Sequence, residues 1–221
     1  RILTAAVVTA DYLKGELCPG ASLYMIGEAA LQEALCQAGF TLLTDASEPA
    51  EAVVVGGDSN LTYEKLKDAV LLLQRGARFV GTNPDLLCPT EEGLVPEAGT
   101  TLAALQAATD VAPIVIGKPA RYLFDMAVER MRSAAPRAGA DQRLAPSSTA
   151  VLGDRLETDI LGGQRAGMRT ILVTTGVDDE RTVRQKGIEP GLVVRGLDAL
   201  VELWQIQSKE MNVEEVADEG P

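Results

Sequence analysis

Asp154 follows a short apolar run, Ala150–Leu152, and Asp159 stands five positions on, where the next helix is expected to start. Two carboxylates converging on one strand end suit Mg2+. It is a hard ion that takes oxygen ligands and keeps several waters, so one or two carboxylates suffice. Lys118 follows Ile116-Gly117 and precedes Pro119, whose ring stiffens the turn. An ammonium held at a strand end is a point charge for a phosphoryl oxygen. Taken separately, Asp154 also fits an ordinary loop residue, Asp159 a helix-start charge favoured by the dipole, and Lys118 a solvated surface lysine. Taken together they form a phosphoryl-transfer constellation, because both groups follow successive core-like strands. The Gly-Lys-Pro turn is not a P-loop, since the GxxxxGK[ST] frame is absent. A nucleophile is missing from the set, because no Asp, Ser or Thr stands out in the right context.

Composition narrows the alternatives. The 221 residues contain no histidine, which excludes a Ser-His-Asp triad, a Cys-His dyad and an HExxH zinc site. Cys18, Cys36 and Cys88 form no CxxC pair, so a zinc site or disulfide scaffold is not expected, and the thiols fit a reducing, cytoplasmic setting. The formal charge is −12, which argues against binding a nucleic-acid backbone. No apolar run is long enough to span a bilayer, and residues 1–10 lack the flanks of a signal peptide. The sequence opens on Arg1, which suggests that the natural start lies elsewhere or that this is a processing boundary.

The elements that must position these residues are legible as short β-branched runs separated by helical patterns. The expected strands are Ser22–Ile26, Ala52–Val55, Arg78–Gly81, Pro113–Ile116, Ala150–Leu152, Thr170–Val173 and Leu192–Val194. The expected helices are Glu28–Ala38, Thr62–Gln74, Ala120–Met131, Asp159–Ala166 and Asp198–Trp204. Such alternation predicts an α/β protein with parallel sheet, whose sites lie beyond the carboxyl ends of the strands. Residues 132–149 read as a surface loop, and the acidic residues 208–221 as a disordered tail.

These residues resemble the haloacid-dehalogenase-like (HAD) superfamily, most closely its type IIA phosphatases, from about Ile2 to Leu203. The stretch IVIGKPARYLFDMAVERM resembles the third motif of that family, and VLGDRLETDILGGQRAGMRTILVTTGV resembles the fourth motif with its following strand. TNPDLLCPTEEGLVPEAG, GGDSNLTYEKL and LTAAVVTADYL resemble segments of the cap domain. The resemblance implies a Rossmann-like parallel-sheet core with an inserted α/β cap of type C2. It places the cap at residues 11–112, the carboxyl-terminal part of the core at 113–207, and a core or linker remnant at 1–10. By resemblance Asp154 and Asp159 serve Mg2+, Lys118 holds the phosphoryl group, and Asn83 and Asp85 of the TNPD segment face substrate. The implied reaction is hydrolysis of a small phosphorylated metabolite through an aspartyl-phosphate, with no nucleic-acid or membrane partner. A homodimer through the cap is compatible with the family.

Three departures stand out. The DxDG motif, whose first Asp is the family's nucleophile and second its acid/base, occurs nowhere in these residues. The family's second motif, a strand ending in Thr or Ser, is missing as well. The expected place of both is before Arg1, and the chain as given is then expected to show no turnover. The cap loop reads Pro96-Glu97-Ala98-Gly99 where PGxG is usual. A chain without the central core strand is also expected to expose sheet edges and to be less soluble than its composition suggests. The competing expectation is a non-catalytic relative that binds a phosphorylated metabolite or a protein through the cap and Lys118. Retention of three convergent charges favours the first reading.

Overall fold

The computed structural model describes residues 2–134 and 144–206. The expected tail at 208–221 and residues 135–143 of the expected loop lie outside them. The chain packs as two compact units, 1–133 and 134–221.

The first unit is built on a five-stranded parallel sheet. Its strands are β1 (Ser22–Ile26), β2 (Thr41–Leu43), β3 (Ala52–Val55), β4 (Arg78–Gly81) and an edge strand (Ile114–Val115), in the order β2-β1-β3-β4-edge. Alternate side chains of each strand point to opposite faces, so two layers of helix are needed. Leu23, Val54 and Val80 face α1 (Ala5–Glu16) and α2 (Ala29–Gln37), burying Val8, Leu13, Leu31 and Leu35 completely or nearly so. Tyr24, Val53, Val55 and Phe79 face the other way, where they pack with Leu72 of α3 (Tyr63–Gln74) and Leu102 and Leu105 of α4 (Ala98–Thr109). Thr62 caps α3 by accepting the Lys65 N–H at 3.2 Å. Between β4 and α4 the chain makes a two-stranded antiparallel hairpin, β5 (Leu87–Thr90) with β6 (Gly93–Pro96). Counting these, the edge strand is β7, and α5 (Tyr122–Ala134) follows it.

At the start of the chain, α1 begins at Ala5, capped by Thr4, and Val8, Ala10 and Leu13 are part of the first unit's core. β7 pairs in parallel with β4, Val80 opposite Ile114 and Gly81 opposite Val115, so the strand leading to Lys118 belongs to the first unit's sheet. Lys118 and Asp154 therefore do not follow successive strands of one sheet.

The second unit carries a three-stranded parallel sheet in the order β10-β9-β8, with β8 (Ala150–Gly153), β9 (Arg169–Val173) and β10 (Leu192–Val194). Leu172 packs on one face with Leu156 and Ile160; Val173 and Val194 pack on the other with Leu200. The expected helix Asp159–Ala166 begins earlier and differently. A π-turn covers Leu156–Ile160 and passes into a short helix, α6 (Leu161–Arg165). After β9 comes α7 (Glu180–Lys186), and a last helical segment covers 197–206. No helix of the described residues is long and apolar enough to cross a membrane.

Candidate active site

In the second unit the candidate site grows from the end of β8. The strand delivers Gly153 and Asp154, and Arg155 opens the π-turn that carries Asp159. Both the Asp159 and the Ile160 N–H reach back to the Arg155 carbonyl, at 3.0 and 3.2 Å, which winds the turn wider than an α-helix. That widening sets the Asp159 side chain over the start of its own turn, where Oδ2 accepts the Arg155 N–H at 3.3 Å. A β-carbon on Gly153 would lie 2.3 Å from Asp159 Cβ, so glycine is needed for this approach. The Asp159 side chain is thus packed on the backbone on both sides of Asp154, and the two predicted carboxylates share one strand end.

Asp154 is braced from the loop after β9. Its Oδ2 accepts the Val177 N–H at 3.0 Å, and its carbonyl accepts the Asp178 N–H at 2.9 Å. A β-carbon on Gly176 would meet Asp154 Oδ2 at 2.1 Å, so the loop can close on the carboxylate only with glycine there.

Asp178 was missed by sequence reasoning. Only 3% of it is exposed, and its Oδ2 accepts the Leu156 N–H at 2.7 Å, a donor that the start of the π-turn would otherwise leave unpaired. Its Oδ1 pairs with Lys186 Nζ at 3.0 Å, and the same ammonium reaches Glu157 Oε2 at 3.1 Å. Burial works to raise the Asp178 pKa. The bonds from Leu156, Lys186 and Thr182 outweigh it and hold the carboxyl below its usual range. Lys186 is held above its ordinary value, chiefly by its bond to Asp178. The local sequence does signal the neighbouring residue. Asp179 with Thr182 is a capping box that starts α7, and it reads as helix punctuation rather than as a brace for β8.

The donor set fits a hard, partly hydrated cation. Asp154 and Asp159 offer oxygen only, and no cluster of three or more His, Cys, Asp or Glu able to hold a metal exists among the described residues. Soft or fully protein-caged ions are poorly served by two carboxylates, whereas Mg2+ keeps water in its remaining positions.

The other predicted residues lie in the first unit, at the carboxyl ends of neighbouring strands. Asn83 and Asp85 follow β4, and Lys118 follows β7. Close packing sets this edge. The Ile116 N–H reaches the Gly81 carbonyl at 2.9 Å, and a β-carbon on Gly117 would lie 2.2 Å from the Thr82 carbonyl oxygen. Lys118 is half-buried, and its peptide bond to Pro119 is cis. Asn83 Oδ1 accepts the Asp85 N–H at 3.0 Å, a local turn, and its Nδ2 approaches Glu97 Oε1 at 3.4 Å. Asn83 lines an open cleft of about 840 Å3, together with Glu28, Gly57, Asp58, Thr82 and Glu97. This cleft opens where the strand order reverses between β1 and β3, the place where doubly wound sheets receive ligands. Asp85 is not among its lining residues.

Residues 115–200 match the family model described as HAD-hydrolase-like. The acid sugar phosphatase of Staphylococcus aureus is 39% identical over 204 residues, which is 92% of this chain and 73% of the relative. The chain belongs to the haloacid-dehalogenase-like hydrolases. Within that family its likeness is to type IIA members. The structure of a p-nitrophenyl phosphatase from Archaeoglobus fulgidus matches 91% of this chain and 74% of that one, with a TM-score of 0.80 and 31% identity. A glycerol phosphate phosphatase from Mycobacterium tuberculosis, solved in complex with magnesium, matches 90% of this chain and 57% of its own, with a TM-score of 0.79 and 34% identity. The α/β fold with parallel sheet expected from sequence is the fold of these haloacid-dehalogenase-like proteins.

Proposed function

We propose that this haloacid-dehalogenase-like chain serves the hydrolysis of phosphoric monoesters of small metabolites, with Mg2+ as its metal and an aspartyl-phosphate as the family's intermediate. The observation that carries the reading is the convergence of Asp154 and Asp159 on the end of β8, each held by a backbone N–H. The similarity to an acid sugar phosphatase and to p-nitrophenyl and glycerol phosphate phosphatases supports the reaction class. A magnesium complex among these relatives supports the choice of ion.

In this reading Asp154 and Asp159 hold the ion. Bound Mg2+ supplies positive charge to the phosphoryl oxygens. Lys118, by the family's pattern, offers an ammonium for a phosphoryl oxygen, and the Gly117 packing fixes its turn at the end of β7. Asn83 and Asp85 contribute to substrate selection, with Asn83 the better supported because it lines the cleft at the strand ends. The attacking carboxylate and the acid/base are not supplied by a DxDG motif among these 221 residues, so these residues alone are not expected to turn over substrate. The free Cys18, Cys36 and Cys88 are in keeping with a reducing, cytoplasmic setting.

The test is calorimetric titration of the 221-residue chain with inorganic phosphate in the presence of Mg2+, alongside assay of p-nitrophenyl phosphate hydrolysis. Phosphate binding is expected to depend on Mg2+, to be lost in Asp154→Ala and to weaken at least about tenfold in Lys118→Ala. Hydrolysis is expected to be absent. Phosphate binding that ignores both substitutions would remove the assignment of these residues. Mg2+-dependent phosphate release would place the attacking group within the chain.

A further inference from the structure

We infer that Asp178 is a positioning residue for the metal site, acting through the backbone around Asp154 without touching the ion; this rests on the reading of Asp154 as a metal ligand. Three hydrogen bonds tie the loop after β9 to the turn after β8. The Val177 N–H reaches the Asp154 carboxylate at 3.0 Å and the Asp178 N–H reaches the Asp154 carbonyl at 2.9 Å. The Leu156 N–H reaches Asp178 Oδ2 at 2.7 Å. The first two set the orientation of the Asp154 side chain and peptide. In the third the loop itself contributes the side chain, and that bond holds the residue two positions beyond Asp154.

A buried carboxylate is costly unless its charge and lone pairs are satisfied. Asp178 is satisfied on both oxygens, by the Leu156 amide and by Lys186 at 3.0 Å. Lys186 belongs to the last turn of α7, so the helix is tied through Asp178 to the π-turn that carries Asp159. Asp178 therefore joins the supports of both carboxylates. Without its side chain the Leu156 N–H loses its acceptor, and the 154–156 turn is free to shift away from Val177. Both predicted ligands remain in the chain, but their relative placement loosens. Outer groups that orient metal ligands typically matter about 10–100-fold in metal affinity.

The experiment titrates the full 221-residue chain with Mn2+ as a spectroscopic substitute for Mg2+, following free Mn2+ by electron paramagnetic resonance well below the unfolding temperature. Asp178→Ala is expected to weaken Mn2+ binding about 10–100-fold. Asp178→Asn, which retains an oxygen acceptor for the Leu156 N–H, is expected to stay within about threefold of the parent. Asp178→Glu, which keeps the charge but moves it by one methylene, is expected to lose about tenfold. Leu200→Ala, which opens the apolar cluster of Val173 and Val194 on the other face of the sheet, is expected to lower stability and leave Mn2+ affinity unchanged. Parent-like affinity in Asp178→Ala, or an equal loss in Leu200→Ala, would overturn the inference. If Asp178→Ala does not fold, the Asn and Glu variants decide, and equal affinity in both would overturn it. Failure of the parent chain to bind Mn2+ would remove the metal-ligand reading and this inference with it, whereas a binding parent with an indifferent Asp178 would remove the inference alone.

Discussion

Gly176 touches Asp154 so closely that a methyl group on its α-carbon would lie 2.1 Å from Asp154 Oδ2. A contact of that kind cannot be relieved by a flexible side-chain tip, because the Asp154 oxygen is itself fixed by the Val177 N–H. Gly176→Ala is therefore expected to push the carboxylate off its position and weaken Mg2+ binding by about 10–100-fold. Calorimetric titration with Mg2+ checks this, and unaltered affinity would show that the carboxylate tolerates displacement. Gly153→Ala, directed at Asp159 in the same way, is expected to behave alike.

The Asp178–Lys186 pair gives a pH signature at each end of the scale. Asp178 has a folded-state pKa below its unfolded value of about 3.9. Its stabilisation is fully present above that unfolded value and is lost as pH falls through the lower folded one. Lys186 has a raised pKa, so its contribution is present below about 10.4 and is lost as pH rises through the folded value. The gap in Tm between the parent and Asp178→Ala is expected to be constant from pH 5 to 7 and to shrink below about pH 4. The gap to Lys186→Met is expected to close only above about pH 10.5. Thermal melts by circular dichroism across pH decide the matter, and a gap that persists unchanged at pH 2 would contradict the Asp178 part.

Leu13 is fully buried between α1 and the first sheet. Leu13→Ala is expected to cost about 2–5 kcal/mol in urea unfolding. A cost under about 0.5 kcal/mol, the range of surface substitutions, would mean that α1 is not part of this core.

Thr9 lies on the same helix with a fully buried hydroxyl that has no hydrogen-bond partner among the described residues. Valine keeps the shape and removes the unsatisfied group. Thr9→Val is expected to stabilise the chain by about 1 kcal/mol, read from the same unfolding curves. Destabilisation would indicate that the hydroxyl has a partner in solution.

Much of this protein is legible in its sequence, and the reason is locality. Buried parallel strands need continuous β-branched runs, so Ser22–Ile26, Ala52–Val55 and Leu192–Val194 can be read to the residue. Amphipathic helices such as α3 announce themselves by period and cap. Asp154, Asp159 and Lys118 are visible because each stands just beyond such a strand. α1 and α4 are hidden, because Ala- and Thr-rich helices carry little contrast between their faces. The β5–β6 hairpin is hidden too, because its strands are short and each contains a proline, Pro89 or Pro96, which weakens a strand reading.

Long-range pairing decided the rest. Two residues, Ile114 and Val115, bond to β4 and so carry Lys118 onto the first unit's sheet, a choice that no local pattern records. The π-turn arises because the Ile160 N–H bonds to the carbonyl five residues back, while the Leu156 N–H is taken by a carboxylate 22 residues away. Asp178 looks like any acidic residue near a helix start until the fold buries it against that amide. Local pattern determines which segments become strands and helices and which charges stand at their ends. Only tertiary packing determines which of those charges share a site, because hydrogen bonds across the fold join residues that the sequence keeps apart.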